Sequence, residues 1–513
     1  MRPYIKNRFA SPKKTRGAIL IMTMIMLLLV TLMGVGVLTV TVNGLHMGQT
    51  RTFQATSFNL AESGAEMAAL WVRNQSTPPS QTSPFDPFNG AQSLGAGTYR
   101  VTITPDPANA TQYLKSYTIT SVGTVNGNTK TVQLVIQQAT FGKFAYFTDQ
   151  ESSSITNGAI WWKTGDICDG PAHTNSANGS KLSINYTNSS ASIFKDLVTV
   201  SGSSIAYNPS TPSNETTFKK IYENGSRGYQ LGMPTIALPN STDAQKNAAW
   251  GASTGFPTTT GVSLKSSNSG GIYIYGDCTM ALSVDTSGRQ VFTIKQGTST
   301  STVTVDVANG SSTLLKPDGS TVSGPITNGA VYCTGNITSL KGEVADNKVT
   351  MGAIATRSAW TIATDVNAGK NITIADNLVY RTRPDKTKSS SDAVNLAAGT
   401  LGLVANNVVI ASTAPQNLEI DAVMTAGGQN TTTGSFYVTN YDTKTPTGTL
   451  KLLGGVIQKK RGPVGTFNSS TGTLSSGYSK NYSYDPRLAI NPPPFYPTTG
   501  TYQRLSWKIV TNQ

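Results

Sequence analysis

Asp166, Asp169, His173 and Asn175 fall within ten residues of the stretch "WWKTGDICDGPAHTNSANG". Two carboxylates beside an imidazole are the parts of a general acid/base set or a metal site. The same stretch is punctuated by Gly165, Gly170 and Pro171. Asp and Asn at such turns satisfy nearby backbone N–H groups without doing chemistry. The turn reading therefore takes precedence, and the four residues stand as the candidate site only if the chain is an enzyme. No metal is expected. The histidines are His46 and His173 alone, and no paired Cys-x-x-Cys spacing occurs, so the usual zinc frameworks are missing. No cofactor is called for.

Three cysteines, Cys168, Cys278 and Cys333, are the disulfide candidates. They allow one bridge with one thiol left over, in any of three pairings. The formal charge is +14, and falls to +8 without the six basic residues that precede Gly17. The remaining Lys and Arg are scattered, apart from "RTRPDKTK" (381–388) and "QKKRG" (458–462). Solvated loops account for those clusters, which argues against nucleic acid as a partner.

These residues need elements to hold them. Only 13% of the chain is charged, Gly numbers 49, and Ser, Thr and Asn crowd the region after residue 74, a composition of turn-dense β structure. A Pro/Ser/Gly-rich linker (74–97) precedes "TYRVTIT", "KSYTITSVGTV" and "TKTVQLVIQQ", with a hairpin turn at Asn126-Gly127. A small antiparallel sheet is expected over 98–140 and one larger β domain over 141–513. In that domain "NITI" (Asn371), "NLVY" (Asn377), "NVVI" (Asn407) and "NLEI" (Asn417) repeat a corner-then-strand phrase. An Asn tolerant of left-handed backbone followed by alternating apolar residues predicts a parallel β-helix or solenoid, with a β-sandwich as the alternative.

From Ala18 to Val42 run 25 residues without a charge, enough helix at about 1.5 Å per residue to cross a hydrocarbon core of about 30 Å. Arg2, Lys6, Arg8, Lys13, Lys14 and Arg16 precede it with no acid among them, which keeps the N-terminus cytoplasmic and sends the rest outward. The helical pattern continues to about Val72, with Phe53, Leu60 and Met67 spaced by seven and Ser57, Gly64 and Trp71 on the same side.

A basic leader ending in "TRG", then "AILIMTMIMLLLVTLMGVGVL", then "FNLAESGAEMAALW" resembles the N-terminus of type IV pilins, closest to the PilX-like minor pilins. The resemblance implies that a prepilin peptidase cuts between Gly17 and Ala18, making 1–17 a leader and 18–73 the anchor and assembly helix. Pilins of the fibre shaft usually carry glutamate at the fifth mature position, and here that position is Met22. The departure implies a subunit that does not build the shaft. The phrase GD..DGPxHTN, which holds the acidic turn, resembles a signature of bacterial envelope proteins with pilin-like N-termini and β-rich exteriors. Together these imply a minor pilin or pseudopilin of a type IV pilus or related secretion filament. Its partners would be other pilins, the inner-membrane assembly platform, the prepilin peptidase and the membrane, with surface glycans or other cells as contacts of the head. Its location would be the cytoplasmic membrane, then the filament or cell surface. The competing expectation is a membrane-tethered β-helix enzyme acting on polysaccharide, although such enzymes concentrate carboxylates beyond what Asp166 and Asp169 offer.

Overall fold

The computed structural model describes residues 18–75, 77–110, 112–265 and 270–510. The chain is mainly β with one long helix, and divides into two compact units.

The first unit is built on helix α1 (Ala18–Arg73), 56 residues long. Along its apolar half the large side chains are bare, from Ile19 at 67% exposed to Val42 at 47%. The polar side chains of this half are threonines, and each closes on its own helix. Thr23, Thr31, Thr39 and Thr41 donate to the carbonyls of Ile19, Leu28, Val35 and Val37 at 2.8–3.0 Å. A rod with no unmet polar group is suited to lipid or to a bundle of like rods.

The second half of α1 buries a stripe of Ser57, Leu60, Ala61, Gly64, Ala65, Ala68 and Val72, at the three- and four-residue spacing of one helix face. The heptad read from sequence holds at Ser57, Leu60 and Gly64 but not at Met67, which is 47% exposed, or at Trp71, which is half-buried. The reason is close packing. The stripe lies on an antiparallel sheet of β1 (Gln92–Leu94), β2 (Gly97–Pro105), β3 (Ser116–Val125) and β4 (Asn128–Thr140), and small residues let the two backbones approach. A Cβ on Gly123 would overlap the Ser57 carbonyl oxygen, and one on Gly64 would strike Ser121 and Tyr99. Asn126 and Gly127 take positive φ (46° and 78°) in the β3–β4 hairpin, as a two-residue turn requires. Two features differ from the sequence division. The linker is packed, with Phe85 bridging Ile103 and its ring 5.8 Å from Trp71. A fifth strand, Thr498–Val510, joins the sheet beside β4 from the far end of the chain; its Trp507 meets Phe58 edge-on at 6.2 Å.

The second unit is a coil of parallel strands. On one face a single row of paired residues runs Ile272, Val331, Ile362, Leu403, Met424, Val456, Tyr146, Ala172, Val198, Tyr229, every neighbour hydrogen-bonded in parallel register. On a second face the row is Leu282, Gly342, Leu378, Ile420, Leu452, Tyr482, Cys168, Phe194, Tyr222. Both rows belong mostly to one apolar core. This is the parallel solenoid expected from the Asn phrases, and the sandwich alternative does not apply.

The Asn residues act differently from the expectation. None of Asn371, Asn377, Asn407 and Asn417 has positive φ. Instead each lends a side-chain oxygen to the next coil's backbone. Asp277 accepts from Asn336 N–H, Asn336 from Asn371, Asn371 from Asn407 and Asn407 from Ser435, at 2.7–3.0 Å. At another corner Asn377 accepts from Glu419 N–H and Asn417 from Thr449 N–H. Backbone donors that a corner would leave unpaired are thereby met.

Stacking order and chain order disagree. The strand Tyr146–Ser153 opens the coil in sequence but lies mid-stack, against the long strand Gly448–Arg461. The coils over 146–230 and those over 272–461 are thus joined at a seam between residues some three hundred positions apart in sequence.

Candidate functional site

The acidic turn sits at this seam. Ile167–Asp169 pairs with Asn481–Ser483 on the second face, and Ala172–Thr174 with Tyr146–Thr148 on the first. Gly170 and Pro171 form the corner between. Because the corner turns the chain from one face to the other, the four nominated residues do not converge.

Asp166 is buried and fully engaged. Its carboxylate accepts from the Lys480 N–H (3.0 Å), the Lys480 ammonium (2.7 Å) and the Lys163 N–H (3.1 Å). Asp169 pairs with the Lys386 ammonium. Asn175 donates to Asp149 and to the Ile236 carbonyl, both at 2.8 Å, and accepts from the Ile236 N–H at 2.9 Å. That backbone fixes the orientation of its amide, so His173 Nε2, 3.1 Å from Asn175 Oδ1, is the protonated nitrogen. Nδ1 lies 2.8 Å from the Thr199 hydroxyl oxygen, which is also 3.0 Å from the Ala172 carbonyl. The ring stacks on Phe147 at 5.4 Å and 20°.

The charges that dominate the seam are ones that sequence assigned to solvated loops or did not name. Arg461 Nη1 reaches Glu151 Oε2 at 3.0 Å, with the two side chains 2% and 0% exposed, and donates to the Ile160 carbonyl at 2.6 Å. Its guanidinium lies over Trp162 at 5.2 Å and Tyr146 at 5.6 Å. Lys480 approaches the same indole at 5.1 Å, and Lys459 pairs with Asp149 at 2.9 Å. "QKKRG" is therefore no solvated loop. Its Arg461 is buried because the strand that carries it pairs with Tyr146–Ser153, and burial makes the Glu151 partner obligatory. Burial pushes the Lys480 amine down, with Asp166 opposing, and pushes the Tyr146 phenol well up. The other basic run lines a cavity of about 720 Å³ with Arg383, Lys386 and Lys388. Each of the three has a carboxylate, from Glu419 and Asp421, Asp169, and Asp392 respectively.

Of the cysteines, Cys168 is in the interior row between Tyr482 and Phe194, and Cys278 and Cys333 meet at 3.8 Å between sulfurs. Gly17 lies outside the described residues, Ala18 begins α1, and Met22 is 73% exposed on it.

The His173 environment sets a pH dependence. Burial lowers its pKa, the Asn175 hydrogen bond opposes this, and Lys143 adds to the lowering. A folded pKa below the unfolded value of about 6.5 means the unfolded chain binds the proton more readily, so stability is intact above that value and lost as pH falls through it. The thermal midpoint of the wild type is expected to fall from about pH 7.5 to about pH 5.5 by more than that of His173→Gln, which keeps a neutral hydrogen-bonding side chain. Parallel midpoint–pH curves for the two proteins would remove His173 from this role.

No protein-family model matches the chain, and no curated protein matches it. Among solved structures, the crystal structure of the competence-associated pilin ComZ from Thermus thermophilus aligns with 89% of this chain and 98% of its own length. The identity is 14% and the TM-score 0.27, a likeness too loose to carry an argument about fold or function.

Proposed function

We propose that the chain is a minor pilin or pseudopilin of a type IV pilus or related secretion filament, anchored by Ala18–Val42 until it is assembled. One observation carries the reading. A single unbroken helix is bare and apolar in its first half and packed into a sheet in its second. A helix of about 84 Å at 1.5 Å per residue is longer than a bilayer requires. Its continuity makes rod and sheet one body, so a force or packing constraint on the rod is delivered to the domain. Cleavage between Gly17 and Ala18 by a prepilin peptidase would free the rod to leave the membrane among the rods of other pilins.

Met22 bears on the copy number. In a bundle of rods an N-terminal ammonium without a counter-charge is costly, and a methionine cannot supply one. A subunit near the tip avoids the difficulty, and its β head, with Ser, Thr and Asn in abundance, would face glycans or other cells. The polysaccharide-enzyme reading is the weaker one, because Asp166, Asp169, His173 and Asn175 point into partners of the seam. Filaments sheared from the source cells test the proposal: the chain should be present at a small fraction of the major subunit. Equimolar amounts along the fibre would overturn the tip assignment.

A further inference from the structure

We propose that Cys278 and Cys333 form a disulfide that staples the terminal coil of the solenoid, while Cys168 remains a thiol. The inference rests on the extracytoplasmic location proposed above.

Of the three pairings open to the sequence, the fold offers one. Cys333 ends its strand opposite Ile274, and Cys278 begins its strand opposite Ile337. The corners Tyr275–Asp277 and Thr334–Asn336 stack, which sets the two sulfurs diagonally across them at 3.8 Å. Closing to the bond length of about 2.05 Å shortens that separation by under about 2 Å. Both residues are buried, at 3% and 0% exposure. The Cys333 sulfur also lies 3.2 Å from the Gly276 carbonyl. Cys168 is held on the second face, its sulfur 4.0 Å from the Gly170 carbonyl.

The location explains what a bond would do. The strand Ile272–Tyr275 has a parallel neighbour on one side only; on the other it meets the antiparallel strand Gly261–Leu264. It is the last parallel coil, and end coils of a stack are where fraying begins. The interval of 55 residues between the cysteines also encloses the antiparallel meander Gln290–Gln296, Ser299–Asp306, Ser311–Leu315 and Thr321–Pro325. A bond at its base holds that excursion to the coil.

The chemistry is thiol–disulfide exchange with a disulfide-bearing oxidant of the envelope, or with glutathione disulfide. One cysteine thiolate attacks the oxidant's disulfide, breaking it and forming a mixed disulfide. The second cysteine attacks the protein sulfur of that intermediate. The Cys278–Cys333 bond forms, and the oxidant departs as two thiols carrying the two electrons and two protons. The hydrogen bond with Cys333 and burial push the Cys278 thiol far up. Thiolate is therefore scarce in the folded reduced protein.

The test uses the full-length chain in detergent, refolded with a glutathione redox couple, alongside protein from the source cells. Both are denatured without reductant, alkylated with iodoacetamide and mapped by mass spectrometry. The expected result is one alkylated cysteine, Cys168, and a 278–333 linked peptide, with a mass about 2 Da below the reduced chain. Reductant should lower the thermal midpoint of the oxidised wild type and leave Cys278→Ala unmoved. Three alkylated cysteines in the refolded protein, or a link through Cys168, overturns the proposal. A 278–333 link after refolding but free thiols in the native protein upholds the pairing and instead overturns the extracytoplasmic location.

Discussion

Arg461→Ala is expected to destabilise the head by about 3–5 kcal/mol, the cost typical of removing one partner from a buried ion pair. The substitution leaves Glu151 at zero exposure with no cation, and removes the guanidinium from the faces of Trp162 and Tyr146. Hydrogen bonds from Thr148 and Tyr146 to the carboxylate remain, but they are too few to hold a full charge in an apolar seam. The size of the loss is not the worth of the pair. Removing both charges in Glu151→Gln/Arg461→Met should restore much of the stability, because the stranded carboxylate is what costs most. Denaturant unfolding followed by tryptophan fluorescence reads this directly, since Trp162 lies in the seam. A loss below about 1 kcal/mol for Arg461→Ala would place the pair in the range of a solvated surface contact.

A larger effect is expected from shortening the chain. Removal of residues from Gly448 onward takes away the partner of Tyr146–Ser153 on one face and of Ile167–Asp169 on the other. The coils over 146–230 then lose one side of their stack, while those over 272–405 keep their own neighbours and Leu418–Ala426 keeps one side only. Amide hydrogen exchange should show 146–230 exchanging on the order of the unfolded rate, with protection persisting over 272–405. Equal protection in both segments would show that the early coils stand without the seam.

What was legible in the sequence follows what is local. The charge-free rod, the Asn126-Gly127 hairpin and the Asn-led strands each carry their signal within a few residues. The corner ladder was only half visible. Asn371 and Asn407 stand in obvious phrases, but Asn336 heads "NITS" and Asp277 heads "DCTM", which break the pattern while performing the same service. Strands such as Ala359–Thr364 and Thr400–Ala405 are buried along their whole length, because segments from elsewhere in the unit cover the coil's outer side. Among these are Leu238, Leu488 and Tyr496. Period-two alternation is lost in strands buried on both faces.

The seam was illegible for a different reason. Arg461 looks like any surface arginine until Tyr146 is known to pair with Val456, and no local pattern encodes a strand partner three hundred residues away. The same holds for Thr498–Val510 in the small sheet. The acidic turn was legible as a turn, whereas its partners Lys480 and Lys386 were not. In α1 the misplaced stripe has a physical cause as well. Ser57, Leu60 and Gly64 of the heptad are in it, but the sheet admits the small Ala61, Ala65 and Ala68 in place of Met67 and Trp71.

The N-terminal residue of the native chain in a sheared-filament fraction tests the central claim most directly. The account predicts that Edman or mass-spectrometric sequencing of that fraction begins at Ala18, with the apolar rod intact. A chain beginning at Met1, or beyond Val42 with the rod removed, would contradict it.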